Sequence, residues 1–292
     1  MNRRRIRALA FISLAMATTV GLTSCVQSHH AATSTPPHHH PSAHASASAT
    51  PTASATPTSS PAPTAKAAPA PPAPVDPYPW HTNIVSTTFW VGEIFDPNAS
   101  DGSQVISTYD GNWYANYGGC DGQIVDNACK TEARSPSNGY FPLHMTPRQN
   151  PFYLDLPFDD INDQAAYNSR GSVVPWATSP AYAPLVHNPN ASLMKNRWVE
   201  LTKDGHTCYG QIEDAGPGDY DDPGYVFGSN DARPENQRYG GAGLDVSPAL
   251  NGCLGFAELN GDTDRLDWRF IEAGQVPAGP WTRLITTTPV EE

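Results

Sequence analysis

Two aspartates hold the positions where acid–base chemistry is best placed in this sequence. Asp214 ends the run Cys208-Tyr-Gly-Gln-Ile-Glu-Asp214 and is followed by Ala215-Gly216-Pro217-Gly218, which no strand can continue. Asp245 stands in Gly241-Ala-Gly-Leu-Asp245-Val-Ser-Pro248. There Ser247 is a natural N-cap and Pro248 fits the first helical position, so a short helix should begin, with Asn251-Gly252 as its stop. Both carboxylates therefore sit at element ends, where loops expose chemistry. A carboxylic acid can protonate the leaving oxygen of a glycosidic bond, while a second carboxylate assists water or a cationic transition state. Each aspartate also has a plainer role open to it: Asp214 can brace the turn at Gly216, and Asp245 can complement the helix N-terminus.

The elements that must carry these residues are short. Trp198-Val-Glu-Leu201 and Thr207 to Ile212 flank Lys203-Asp-Gly205, a hairpin signal. Period two puts Cys208, Gly210 and Ile212 on one face, with Asp214 following that face at its rim and Glu213 pointing away. Ile84 to Ile94 reads as a strand, as does Asn150 to Pro157, and Leu266, Trp268 and Phe270 should point inward from a last strand. Asp159 to Lys195 reads as a long irregular insertion. Helical period is nearly absent and turn residues recur every few positions, the pattern of a small barrel or sandwich. Trp113, Tyr114 and Tyr117 can form a sugar-stacking platform or cap the barrel as satellite core. Tyr153, Tyr209 and Gln211 are further candidates for glycan contact.

The beginning of the chain is not fold. Arg3, Arg4, Arg5 and Arg7 precede a short apolar run, Ala8 to Leu22, as in an export signal. The run is too short to span a bilayer. Its exit, Leu22-Thr-Ser-Cys25, resembles the bacterial lipobox, which implies lipidation of Cys25 and a membrane anchor. Val26 to Val75 is rich in Ala, Ser, Thr and Pro, with Lys66 its only charged residue other than histidine and no aromatic, so it should be a disordered tether. It would span ~150 Å as polyproline II and about 40 Å as a coil. Six histidines lie there (His29, His30, His38, His39, His40 and His44), a tract that binds zinc weakly or is solvated linker. The expected layout is a signal peptide at 1–24, a lipid-anchored tether at 25–75 and one domain at 76–292.

The chain carries −12, and loss of the four leader arginines takes the exported part to −16. That argues against a nucleic-acid partner and gives no help with anionic wall polymers, so glycan contact should rest on stacking and hydrogen bonds. Without Cys25, the exported domain keeps Cys120, Cys129, Cys208 and Cys253, an even set that points to two disulfides with three possible pairings, of which Cys120–Cys129 with Cys208–Cys253 is favoured. No Cys-x-x-Cys pair or neighbouring histidine supports zinc, and His81, His144, His187 and His206 are scattered singly. Asp219, Asp221, Asp222 and Asp231, like Asp262 and Asp264, lack a calcium-loop register and read as solvated turns. No metal or cofactor is expected.

Arg197-Trp-Val-Glu-Leu, Gly205-His-Thr-Cys-Tyr-Gly-Gln-Ile-Glu-Asp214-Ala-Gly-Pro217 and Leu244-Asp245-Val-Ser-Pro-Ala249 together resemble the double-psi β-barrel of rare lipoprotein A. Tyr153-Leu-Asp-Leu-Pro157 is similar to that family's His-x-x-Leu-Pro segment. Expansins and family 45 endoglucanases share the barrel. The resemblance covers about half of the domain and implies an all-β, six-stranded double-psi β-barrel with long loop insertions and a short helix. It also implies a peptidoglycan lytic transglycosylase, with Asp214 as acid/base and Asp245 as its partner. Three positions depart from the family pattern: Tyr153 and Gly243 stand where it has histidine, and Ala215 where it has arginine. Three functions follow as expectations: a wall-glycan-cleaving lipoprotein, an expansin-like module that binds and loosens glycan without cleaving it, and a structural or protein-interaction lipoprotein. All three place the protein outside the cell membrane, anchored through Cys25 and facing the wall or periplasm.

Overall fold

The computed structural model describes residues 77–98, 102–261 and 263–291. The leader, Cys25, the histidine tract, the tether and Asp262 lie outside the described residues. In chain order the elements are β1 (His81–Thr88), α1 (Trp113–Tyr117), β2 (Gln123–Val125), β3 (Ala128–Lys130), β4 (Tyr153–Leu156) and α2 (Gln164–Val173). They continue with β5 (Trp198–Lys203), β6 (His206–Ala215), α3 (Pro223–Val226), β7 (Leu244–Val246), α4 (Pro248–Leu254) and β8 (Arg265–Ile271). The fold is mostly β. Six strands close a barrel in the order β1-β7-β4-β6-β5-β8, while β2 and β3 form a separate ribbon. Closure leaves no unpaired barrel edge. Pairs β1–β7 and β4–β6 are parallel; the remaining barrel pairs are antiparallel.

Alternation in the strands fills the barrel interior. Ile84, Leu154, Leu156, Ile212, Leu244, Val246, Leu266, Trp268 and Phe270 belong to one buried cluster, and each such side chain contributes about 1.5–3 kcal/mol on burial. The Trp268 indole N–H donates to the Tyr225 hydroxyl at 2.7 Å, so its polar atom is satisfied inside the core. The β5–β6 hairpin turns at Asp204 and Gly205, whose φ values of 49° and 85° suit a two-residue turn. The disulfides are Cys120–Cys129 and Cys208–Cys253, the second tying β6 to α4.

Two local expectations need correction. First, α4 runs through Asn251-Gly252 and ends at Gly255, which caps it in the left-handed region (φ 68°). Ser247 caps the start through its hydroxyl, as expected. The Asn251 side chain is drawn away from a stop role because its amide donates to Thr88 Oγ1 and to the Glu258 carbonyl. Second, the insertion at 159–195 contains the ten-residue helix α2, capped by Asp163, whose side chain accepts from the Ala165 and Ala166 amides. Arg170 on α2 is fully buried and donates to the carbonyls of Asp160, Leu185, Val186, Asn188 and Ala191. A guanidinium with five donors thus organises a segment that has no apolar stripe to do so.

Candidate carboxylate site

Asp245 lies on β7, Asp155 on β4 and Asp214 on β6, three strands adjacent in the barrel. Their neighbours Leu244 and Val246, Leu154 and Leu156, and Ile212 and Ala215 all belong to the core cluster. By strand alternation the three aspartates therefore face outward together. Asp214 reaches this face through an irregularity in the β4–β6 ladder. Leu154 pairs with Ile212, but the next pair is Asp155 with Asp214, which leaves Glu213 as the extra residue. A bulge of this kind re-aims the side chains beyond it. This corrects the period-two reading, which placed Asp214 on the core face. Glu213 is buried instead of pointing away, and accepts from the Lys195 ammonium at 2.9 Å.

The cluster is knit by hydrogen bonds. Asp155 Oδ1 accepts from the Asp245 amide at 2.7 Å. Asp214 Oδ1 accepts from the amides of Thr108 at 2.7 Å and Ala215 at 2.8 Å. The Thr87 hydroxyl on β1 donates to Asp245 Oδ1, so the belt of polar side chains crosses four consecutive strands. Gly216 permits the closest approach: its φ is 156°, and a Cβ there would stand 2.8 Å from Asp155 Oδ2.

Burial and mutual repulsion hold these acids protonated well beyond the usual range. Burial pushes Asp214 up from 3.8 to about 6, against the two amides that favour its charge. Asp245 rises to about 8, first through desolvation and then through the charges of Glu93 and Asp214. Asp155, between the other two, is raised by burial and by both neighbours. Glu93 is pushed up to about 7, mainly by desolvation. Asp155 and Asp214 are buried, whereas Asp245 keeps part of its surface open. The arrangement thus holds one carboxylic acid, Asp245, that retains its proton at neutral pH, beside Asp214, which ionises at lower pH.

The other candidate residues sit elsewhere. Trp113 and Tyr117 are 1% and 0% exposed and pack with Phe89, Val91 and Tyr153 in a satellite core, so they present no stacking platform. Tyr153 is equally buried; its hydroxyl donates to Asp121 Oδ2 at 2.8 Å and accepts from the Val91 amide at 3.1 Å. Tyr209 is buried against Trp281 and donates to Glu200 at 3.2 Å. Gln211 braces the C-terminal segment, accepting from the Thr286 amide at 2.9 Å and donating to the Thr286 carbonyl at 3.0 Å. These placements correct the glycan-contact assignments of Trp113, Tyr117, Tyr153, Tyr209 and Gln211, because a filled ring face or a satisfied amide has nothing left for a sugar. Tyr114 alone is partly exposed, in a concavity of about 400 Å³ that it lines with Gly92, Ile94, Val105 and Ile124. That concavity does not include the aspartates.

Sequence reasoning missed Asp155 and Glu93. Asp155 carried a signal, a lone charge between Leu154 and Leu156 in a strand entered and left through prolines. Glu93 carried none, since only the fold brings it near Asp245. The departures at Gly243 and Tyr153 have a physical cause. A Cβ at Gly243 would stand 2.5 Å from both Pro234 Cγ and Tyr225 Oη, so no side chain fits there. Tyr153 is committed to the Asp121 network.

Among the described residues no group of His, Cys, Asp and Glu is arranged to hold a metal ion, and no helix is long and apolar enough to cross a membrane. No protein-family model matches the chain, and no curated protein or solved structure matches it significantly.

Proposed function

We propose that this barrel cleaves wall glycan by acid–base catalysis from the Asp155–Asp214–Asp245 cluster, as a lytic transglycosylase. The observation that carries this reading is the set of three outward aspartates on adjacent strands, one of them partly open and held protonated to about pH 8. A structural role would not call for carboxyls crowded together against their own repulsion. The closed six-stranded barrel supports the reading too, being compatible with the double-psi architecture that the resemblance to rare lipoprotein A implies.

In the proposed step Asp245 gives its proton to the glycosidic oxygen as the C1–O bond breaks and the leaving sugar departs as an alcohol. The resulting carboxylate then takes the proton from a hydroxyl of the bound sugar as that oxygen bonds to C1, closing an anhydro ring and restoring the acid. Asp214, ionised above about pH 6, stabilises the cationic transition state. Asp155 positions Asp245 through the bond to its amide. Asp245 is preferred to Asp214 as the acid because the residue is less buried and its carboxyl holds its proton to higher pH. A lipid on Cys25 and the 25–75 tether would hold the domain at the wall.

The test is release of soluble fragments from purified peptidoglycan. Wild type is expected to release fragments while Asp245→Asn and Asp214→Asn release none. Pelleting with the wall without release would favour the expansin-like binding module, and neither release nor pelleting would favour an interaction lipoprotein.

A further inference from the structure

The loop that joins β6 to β7, residues 216–243, carries two aromatic side chains that the fold leaves largely in solvent: Tyr220 is 48% exposed and Tyr239 is 54% exposed. Its other tyrosine, Tyr225, is fully buried in the core. The loop connects the strand of Asp214 to the strand of Asp245.

Tyr220 is fixed at the exit of β4. Its carbonyl accepts from the Asp159 amide at 2.8 Å, Phe158 bridges Asp221, and the Asp222 amide donates to the Pro157 carbonyl at 3.0 Å. These ties place Tyr220 just past the strand end that carries Asp155. Its hydroxyl is pushed up to about 12, first by desolvation and then by the charges of Asp214, Asp155 and Asp159, with Tyr239 adding to them. Tyr220 thus stands within electrostatic reach of the carboxyl cluster and of Tyr239, with about half of its surface exposed.

Tyr239 is held in the left-handed region, with φ of 52°, a conformation that non-glycine residues rarely adopt. The Asn236 side chain maintains the turn, donating to the carbonyls of Arg238 at 3.2 Å and Ala242 at 2.8 Å. The fold therefore sustains strain at a residue whose ring gains little burial.

We propose that Tyr220 and Tyr239 form the sugar-stacking wall of the site, binding the apolar C–H faces of consecutive hexopyranose rings in a polysaccharide strand. This inference takes its ligand class from the glycan reading above. Tyrosine suits the task because it offers a rigid amphipathic face at small entropic cost. The wall supplies ground-state binding, whereas the aspartates supply the chemistry.

The experiment measures two quantities on peptide-free glycan strands prepared from peptidoglycan. Binding is read by calorimetry in an Asp245→Asn background, and steady-state turnover in the otherwise wild-type protein. Each of Tyr220→Ala and Tyr239→Ala should weaken binding and raise KM about 10-fold, leaving kcat within about 2-fold. Tyr220→Phe and Tyr239→Phe should keep binding within about 3-fold, since the ring face is retained. Ala variants that bind as tightly as their parent would overturn the proposal, as would Phe variants that lose as much as Ala. No binding by the Asp245→Asn parent would overturn it as well. If the parent binds in a tyrosine-dependent way but wild type releases no product, the stacking wall stands and the cleavage reading fails.

Discussion

The carboxylate cluster should make the protein less stable than it would be without it, and Asp214→Asn measures that cost. Asp214 rises from 3.8 in the unfolded chain to about 6 in the native state. Between those pH values the native state holds a proton that the unfolded chain has released, so stability falls as pH rises and reaches its lower plateau above about pH 6. At about 1.4 kcal/mol for each pH unit, the cost of ionising Asp214 in the native state is about 3 kcal/mol. Asparagine is close in shape, and its carbonyl oxygen can still accept from the Thr108 and Ala215 amides. The variant should therefore match wild type near pH 4 and exceed it by about 3 kcal/mol at pH 8. In urea this corresponds to a midpoint higher by about 1–2 M at pH 8, with both disulfides intact. The same variant should release nothing from peptidoglycan, the trade of stability against activity expected of a strained site. A variant less stable than wild type at pH 8, or a difference equal at pH 4 and pH 8, would refute the reasoning.

Other consequences concern the site and its scaffold. Glycan cleavage should follow a bell in pH, rising near about 6 as Asp214 ionises and falling near about 8 as Asp245 loses its proton. Those limbs belong to the coupled cluster, and a flat rate from pH 5 to 9 would contradict it. Gly216→Ala places a methyl against Asp155 Oδ2 at a φ few residues adopt, so cleavage should fall about 100-fold, more than the unfolding midpoint would account for. Replacing Cys208 and Cys253 together by alanine releases a loop with a sequence separation of 45. Chain entropy puts the loss at about 4 kcal/mol, read by equilibrium unfolding. Ser247→Ala removes the α4 cap and should lower stability by about 1 kcal/mol in the same assay.

Much of the frame was legible because local chemistry dictates it. Lys203-Asp-Gly205 could only be a tight turn between two strands, and Ser247-Pro248 could only open a helix. The even cysteine count pointed to two disulfides but left three pairings open, and the structure has the favoured one. Asp214 and Asp245 were readable because both precede breaks in extended chain. Asp155 was not, because its partners arrive through the parallel pairing of β4 with β6 and the neighbouring β7, contacts that no local pattern encodes. The bulge at Glu213 was equally hidden: alternation cannot show where a ladder takes in an extra residue, and that residue decides which face Asp214 joins. The aromatics misled for a simple reason. Trp113, Tyr117 and Tyr153 look the same in sequence whether they stack on a ligand or pack on one another, and here they pack edge to face. α2 escaped notice because its organising residue is a buried arginine instead of an apolar face.

The central claim is that the three aspartates cleave glycan through the sugar's own hydroxyl. Digestion of purified peptidoglycan in ¹⁸O-water, with products read by mass spectrometry, tests it most directly. The account predicts soluble fragments ending in anhydro-muramyl residues without ¹⁸O, from wild type and not from Asp245→Asn. Reducing ends that carry ¹⁸O would contradict the intramolecular route, and fragments from Asp245→Asn at the wild-type rate would contradict the site itself.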